Sequence, residues 1–283
     1  MNTIDMQPSF KLAPLYFPCA DEAWVYLLRR VMEHGSREVA RGLSFNELIG
    51  YSTSFSMAHP LVSCVQRKLS LKYAYGEAWW ILTGRQDVES LARYNERIRE
   101  YSDDGETFFG AYGPPILAQL PYIVRALVND SGSRQSVLTI WRQCPRSTKD
   151  VPCTVAIQFL VRDGKLYCLD TMRSSDAWLG WPYDVFTFTC LSALIALILK
   201  EEHSIDLELG ALVMQCGSQH VYSSDESKVA RVFLNSTFNM RHPLDLKEFS
   251  GADEFVSWLR LRAEAYLVGN TPSYDSKKSL TLV

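Results

Sequence analysis

The chain has 283 residues, enough for one large domain or two small ones, and its 47% hydrophobic and 12% aromatic content can fill a sizeable core. A net charge of −3 excludes a surface-wide nucleic-acid footprint, although a few converging arginines would still hold a small phosphate. Seven scattered cysteines, without a CxxC pair or a His-Cys cluster, give no metal site; they fit reduced thiols in a cytoplasm, the host cytoplasm if the chain is of viral origin.

The opening MNTIDMQPSFKLAPLYF lacks a basic region followed by an apolar core, so it reads as an N-terminal extension over about 1–20 rather than a secretion signal. DEAWVYLLRRVMEHG has helical spacing, with Asp21 as N-cap and Gly35 as stop. RGLSFNELIGYSTSFSM then turns strand-like around Gly42 and Gly50, with Arg41 opening the loop. Helices are predicted over 72–82, largely apolar around Glu77, over 87–101, and over 117–128, the last closed by NDSGS. Between 136 and 172 the pattern is that of strands. VAIQFLV and KLYCLDTM flank Asp163-Gly164, a dipeptide suited to a tight hairpin turn. The run VFTFTCLSALIALIL carries Thr187, Thr189 and Ser192 and falls short of the roughly 20 residues of a membrane span, so a buried helix is predicted. IDLELGALVMQC reads as a further strand, ADEFVSWLRLRAEAYL as an amphipathic helix, and 270–283 as a polar tail or lid. No linker divides the chain, which implies a single α+β domain over 1–283, a mixed sheet surrounded by helices.

Several residues invite chemistry, each beside a plainer reading. Cys153 opens an apolar strand, where most cysteines are simply packed. Glu77 lies in an apolar helix, where burial would raise its pKa and suit it to relaying protons, or where it pairs with a neighbour. Asp184 directly precedes the apolar run and either caps a helix starting at Val185 or serves a ligand.

Three segments, KDVPCT, RDGKLYCLDTMRSSDAWLGWPYD and QHVYS, occur in order and in register with the motifs of the thymidylate synthase family, which the chain resembles from about Arg41 to Leu267. The resemblance implies a single-domain fold that dimerises through its sheet, and 5,10-methylenetetrahydrofolate as one-carbon donor. It makes Cys153 the thiolate that adds to C6 of a pyrimidine nucleoside monophosphate, with Arg173 lowering the thiol's pKa. It also maps the phosphate onto Arg41, Arg173, Ser174 and an Arg134 supplied by a partner subunit. Glu77 becomes the catalytic acid, Tyr112 the proton-transfer tyrosine, His220 and Tyr222 the sugar-hydroxyl contacts, and Asp176 and Gly180 folate-side positions. No direct nucleic-acid or membrane partner is implied.

The chain departs from the family in several places. Arg134-Gln135 stands where paired arginines are common, and the spacing after Arg41 differs by about one residue. Thr154 replaces a histidine, and Arg99 or a close neighbour replaces a tryptophan that helps exclude water near the folate. Most telling is Asp184, where thymidylate synthases carry an asparagine and deoxycytidylate hydroxymethylases an aspartate. An ionised aspartate only accepts, which fits the N4 amino group and protonated N3 of cytosine and repels O4 of uracil. The expectation is a hydroxymethylase acting on dCMP with water as the final reactant. The alternatives are CMP as substrate, a uridylate enzyme (thymidylate synthase or dUMP hydroxymethylase), or a nucleotide-binding homologue without turnover.

Overall fold

In a computed structural model of the chain, which describes residues 11–239 and 243–270, Asp163 and Gly164 take φ of 50° and 71°, the pair of left-handed values a two-residue type I′ turn requires. The turn joins β5 (Thr154–Arg162) to β6 (Lys165–Asp176). Arg41 and Gly42, at 52° and 78°, make the same kind of turn between β2 (Ser36–Ala40) and β3 (Leu43–Ser56). β2 is exposed along its whole length and lacks apolar alternation, so the sequence pattern carries no signal for it.

β7 (Glu208–Tyr222) lies between β3 and β6, antiparallel to the first and parallel to the second. With β1 (Tyr16–Phe17) beside β3 and β4 (Val137–Thr139) outside β5, the described residues form a seven-stranded mixed sheet in the order β1-β3-β7-β6-β5-β4, with β2 also paired to β3. The segment read as an N-terminal extension therefore supplies a strand from residue 16 onward. Residues 1–10 and the proposed tail from 271 lie outside the described residues.

The apolar run forms α5 (Trp181–His203), apolar nearly all round, with its most hydrophobic window 83% buried inside the protein. The helix starts earlier than Val185. Gly180 occupies the cap position and the Asp184 N–H donates to the Gly180 carbonyl at 3.1 Å, so Asp184 sits within the first turn and does not cap. In α1 (Ala20–His34), which buries Trp24, Leu27, Leu28 and Val31, Cys19 takes the cap position. The Asp21 carboxylate instead accepts from the Ser63 N–H and hydroxyl, each at 2.7 Å. α4 (Gly113–Asn129) also starts ahead of its predicted 117, because prolines in the first turn forfeit only an N–H that has no helical partner there.

The helix predicted over 87–101 breaks in two: α3 (Val88–Ala92), capped by Asp87, and a 3₁₀ turn over Glu96–Tyr101, with Asn95 extended between them. The break is anchored by Tyr94, whose ring lies so close to Gly76 of α2 (Leu71–Leu82) that a Cβ there would sit 2.4 Å away. The Tyr94 hydroxyl donates to Glu264 of α7 (Ala252–Leu267) at 3.0 Å, and α7 packs along α2. Tyr94 thereby fixes α2, which carries Glu77, and aims the following turn at the cavity described next.

Candidate active site

Cys153 sits one residue ahead of β5, and three groups hold its backbone. The Tyr112 hydroxyl accepts from the N–H groups of Cys153 and Thr154 at 3.1 and 3.0 Å. The Arg173 N–H donates to the Cys153 carbonyl at 2.9 Å. The Arg173 guanidinium donates to the carbonyls of Pro152 and Val151 at 2.9 and 3.0 Å, leaving Nη2 3.8 Å from Cys153 Sγ. Burial pushes the thiol up to about 11; Arg173 opposes this, while Asp184, Asp150 and Asp170 add to it. Arg173 thus lowers the thiol's pKa as expected, but desolvation outweighs it, so in the free site the thiol form is favoured.

Cys153, Arg173, Ser174, His220, Tyr222 and Arg41 line one space of about 770 Å³. The left-handed turn between β2 and β3 brings Arg41 there despite the altered spacing around it. His220 stacks edge-on to Tyr222 at 5.0 Å and faces Phe45 at 5.5 Å. Two acids that the sequence reading missed share the space: Glu47, which accepts from the Ser218 hydroxyl, and Asp150. An acid three residues before a candidate nucleophile was the available signal for Asp150; Glu47 in an alternating strand offered none. Arg134 is exposed and lies outside this space, its carbonyl accepting from the Gln158 amide at 2.8 Å.

Behind lies an apolar pocket of about 180 Å³ lined by Tyr112 and Phe188, whose rings stack at 6.4 Å. It adjoins a groove of about 860 Å³ bordered by Gly180, Tyr73 and Tyr183. Glu77 and Asp184 line both. Two expectations change. The guanidinium of Arg99 is engaged by Glu89 and Glu96 at 2.8 and 2.6 Å and lines none of these spaces; Ile98 and Tyr101 of the same 3₁₀ turn do. A polar wall made by Arg99 is therefore absent among the described residues. Asp176 does not line the groove either: its Oδ1 accepts from the N–H groups of Trp178 and Leu179 at 2.8 and 2.9 Å, shaping the turn into α5.

Burial raises the acids around the pocket. Glu77 rises to about 7, with the Tyr73 hydroxyl, donating at 2.6 Å, pulling the other way. Asp184 is pushed well above the usual carboxylate range by burial and by nearby Glu77 and Asp176. Burial therefore favours the neutral carboxyl of Asp184 over the ionised form, and that form can both donate and accept. Asp170, fully buried on β6, has neither oxygen hydrogen-bonded among the described residues; burial and Asp184 raise it, and the adjacent Thr154 hydroxyl offsets this only in part. A raised folded-state pKa means that stability is full below the unfolded value of about 4 and is lost as pH rises toward the folded value. Asp170→Asn removes that loss, so its urea midpoint should exceed that of the parent by an amount that grows as pH rises from about 4.

A thiol on a braced loop, arginines and a His-Tyr pair around it, and buried acids behind it make a candidate site for covalent chemistry on an anionic ligand. The thymidylate synthase family profile matches residues 22–250, and the chain belongs to that family. Enzymes of this family draw their one-carbon unit from methylenetetrahydrofolate. The deoxyuridylate hydroxymethyltransferase of Pseudomonas phage M6 is 35% identical over 164 residues, 54% of this chain and 45% of the phage protein, so the match spans less than half of that relative. The thymidylate synthase of Coxiella burnetii strain RSA 493 is 24% identical over 220 residues, 73% of this chain and 81% of that relative. The groove presents the rings of Tyr73 and Tyr183 and the cations Lys72 and Arg97, which have no ion pair among the described residues.

Proposed function

We propose that this chain is a folate-dependent pyrimidine nucleotide C5 hydroxymethyltransferase that converts 5,10-methylenetetrahydrofolate, dCMP and water to 5-hydroxymethyl-dCMP and tetrahydrofolate in the cytoplasm. The observation that carries the proposal is the placing of Cys153 and Arg173 in the larger space with the buried Asp184 behind them. Arg41, Arg173 and Ser174 hold the phosphate, and His220 and Tyr222 the sugar hydroxyl. Asp184 passes its proton to N3 of cytosine and accepts from the N4 amino group, which makes C6 electrophilic toward the Cys153 thiolate. Glu77, at about 7, is populated in both forms near neutral pH and relays protons at the base. Gly180, Tyr183 and the groove cations hold the folate, which supplies the carbon unit.

Water as the final reactant draws support from the name of the phage relative. That name also favours a second reading, with dUMP as substrate, and a neutral Asp184 fits it: the O–H donates to O4 of uracil and the carbonyl oxygen accepts from N3–H. Tritium release from C5-labelled dCMP, CMP and dUMP, each with methylenetetrahydrofolate, separates the readings. Release from dCMP is expected; release from dUMP alone would overturn the cytidylate assignment.

The phosphate site is completed in a homodimer, with Arg134 of a second copy reaching in. Arg134→Ala and Cys153→Ala chains should each be inactive alone and regain activity when mixed, because one site of the mixed dimer then keeps both residues. Failure of the mixture to recover activity would exclude a shared site.

A further inference from the structure

Among the described residues, only Asp150 and Tyr101 line both the 770 Å³ space that contains Cys153 and the apolar pocket behind it. We infer that Asp150 is a further catalytic residue, the general base for the water that ends the reaction, an assignment resting on the reading that water is the final reactant. Asp150 lies three residues before Cys153 on the same loop, close enough for its charge to perturb the thiol. The loop is preorganised: Asp150 Oδ2 accepts from the Gly110 N–H at 2.7 Å, the Asp150 N–H donates to Thr148 Oγ1 at 3.1 Å, and the Lys149 N–H donates to Asp103 at 3.0 Å. Oδ1 has no hydrogen bond among the described residues. The charged groups that act on it are Asp103 and Arg142, and its burial raises its pKa.

The competing acids fit this role less well. Glu77 and Asp184 line the apolar pocket and are already engaged at the base, Asp184 at N3 and N4 and Glu77 in its proton relay, and Glu77 Oε1 is tied to Tyr73. Glu47 lines the nucleotide space but not the pocket and is bonded to Ser218.

After carbon transfer the pyrimidine carries an exocyclic methylene at C5 and remains bonded through C6 to Cys153 sulfur. The water oxygen bonds to the methylene carbon, and the methylene π electrons move through C5 and C4 onto the C4 substituent. Asp150 takes the proton of the water. The electrons then return to form C5=C6, the C6–S bond breaks, and Cys153 leaves as thiolate. The proton on Asp150 passes to solvent, and no oxidant or reductant is consumed.

Tritium release reports the steps before water enters, and product analysis reports the last one. Asp150→Asn should keep tritium release within a few-fold of the parent while cutting hydroxymethyl product per tritium released by roughly 10²-fold. An added thiol such as 2-mercaptoethanol should then be captured as a C5 thioether, and Asp150→Glu should restore part of the product. In the parent, product per tritium should fall as pH drops and Asp150 protonates; in Asp150→Asn it should be flat. A folate-free measurement adds a check: the parent should bind 5-hydroxymethyl-dCMP severalfold more tightly than 5-methyl-dCMP, and Asp150→Ala should lose that preference. Unchanged hydroxymethyl yield in Asp150→Asn, or equal loss of tritium release and product, would overturn the assignment. A methyl product from the parent itself would instead overturn the reading that water is the final reactant.

Discussion

Cys153→Ala loses C5-tritium release from every pyrimidine monophosphate, by roughly 10⁴-fold or more, because no other group can form the covalent bond to C6 that makes C5 nucleophilic. Among the described cysteines, Cys19, Cys64, Cys168, Cys190 and Cys216 are buried in the fold, and the exposed Cys144 does not line the nucleotide space. The substitution spares the fold, since Cys153 is only partly buried and its backbone is held by Tyr112 and Arg173. Nucleotide binding, read by calorimetry, should persist within a few-fold, as the arginines and the His220–Tyr222 pair are untouched. Substantial tritium release by Cys153→Ala would remove the covalent mechanism.

Asp184→Asn should cost cytidylate turnover roughly 10³-fold while leaving uridylate turnover intact or raised. An amide matches the hydrogen-bonding edge of either base but has no proton to pass to N3, and cytosine needs that proton for addition at C6. In the parent, the raised pKa of Asp184 gives a directional expectation: if Asp184 donates to N3, cytidylate turnover should require the acid form and decline as pH rises past its folded value. Comparison of kcat/KM for dCMP and dUMP over a pH series, parent against variant, reads both effects. A variant that stays cytidylate-specific would sink the assignment of Asp184 to base recognition.

The legible parts of this protein are those where local chemistry dictates geometry. Asp163-Gly164 announces its turn, the α5 run is too apolar to lie anywhere but in the core, and the motif segments bring Cys153, Arg173, Ser174, His220 and Tyr222 to one space. Positions that depend on helical phase were not legible. The family resemblance put Arg99 or a close neighbour beside the folate, whereas the Tyr94 anchor breaks the helix expected over 87–101 and presents Ile98 and Tyr101 instead. Ionisation states were hidden for the same reason. The Asp184 carboxyl is pushed up by what buries it, and the Cys153 thiol is raised because desolvation outweighs Arg173. Neither balance is written in the residues' own neighbourhood along the chain.

The most direct test of the whole account is the mass of the product formed from dCMP and 5,10-methylenetetrahydrofolate in water enriched in heavy oxygen. A 5-hydroxymethyl nucleotide carrying one solvent oxygen is the predicted result. A 5-methyl nucleotide with dihydrofolate, or recovery of unmodified dCMP with full conversion of dUMP, would contradict it.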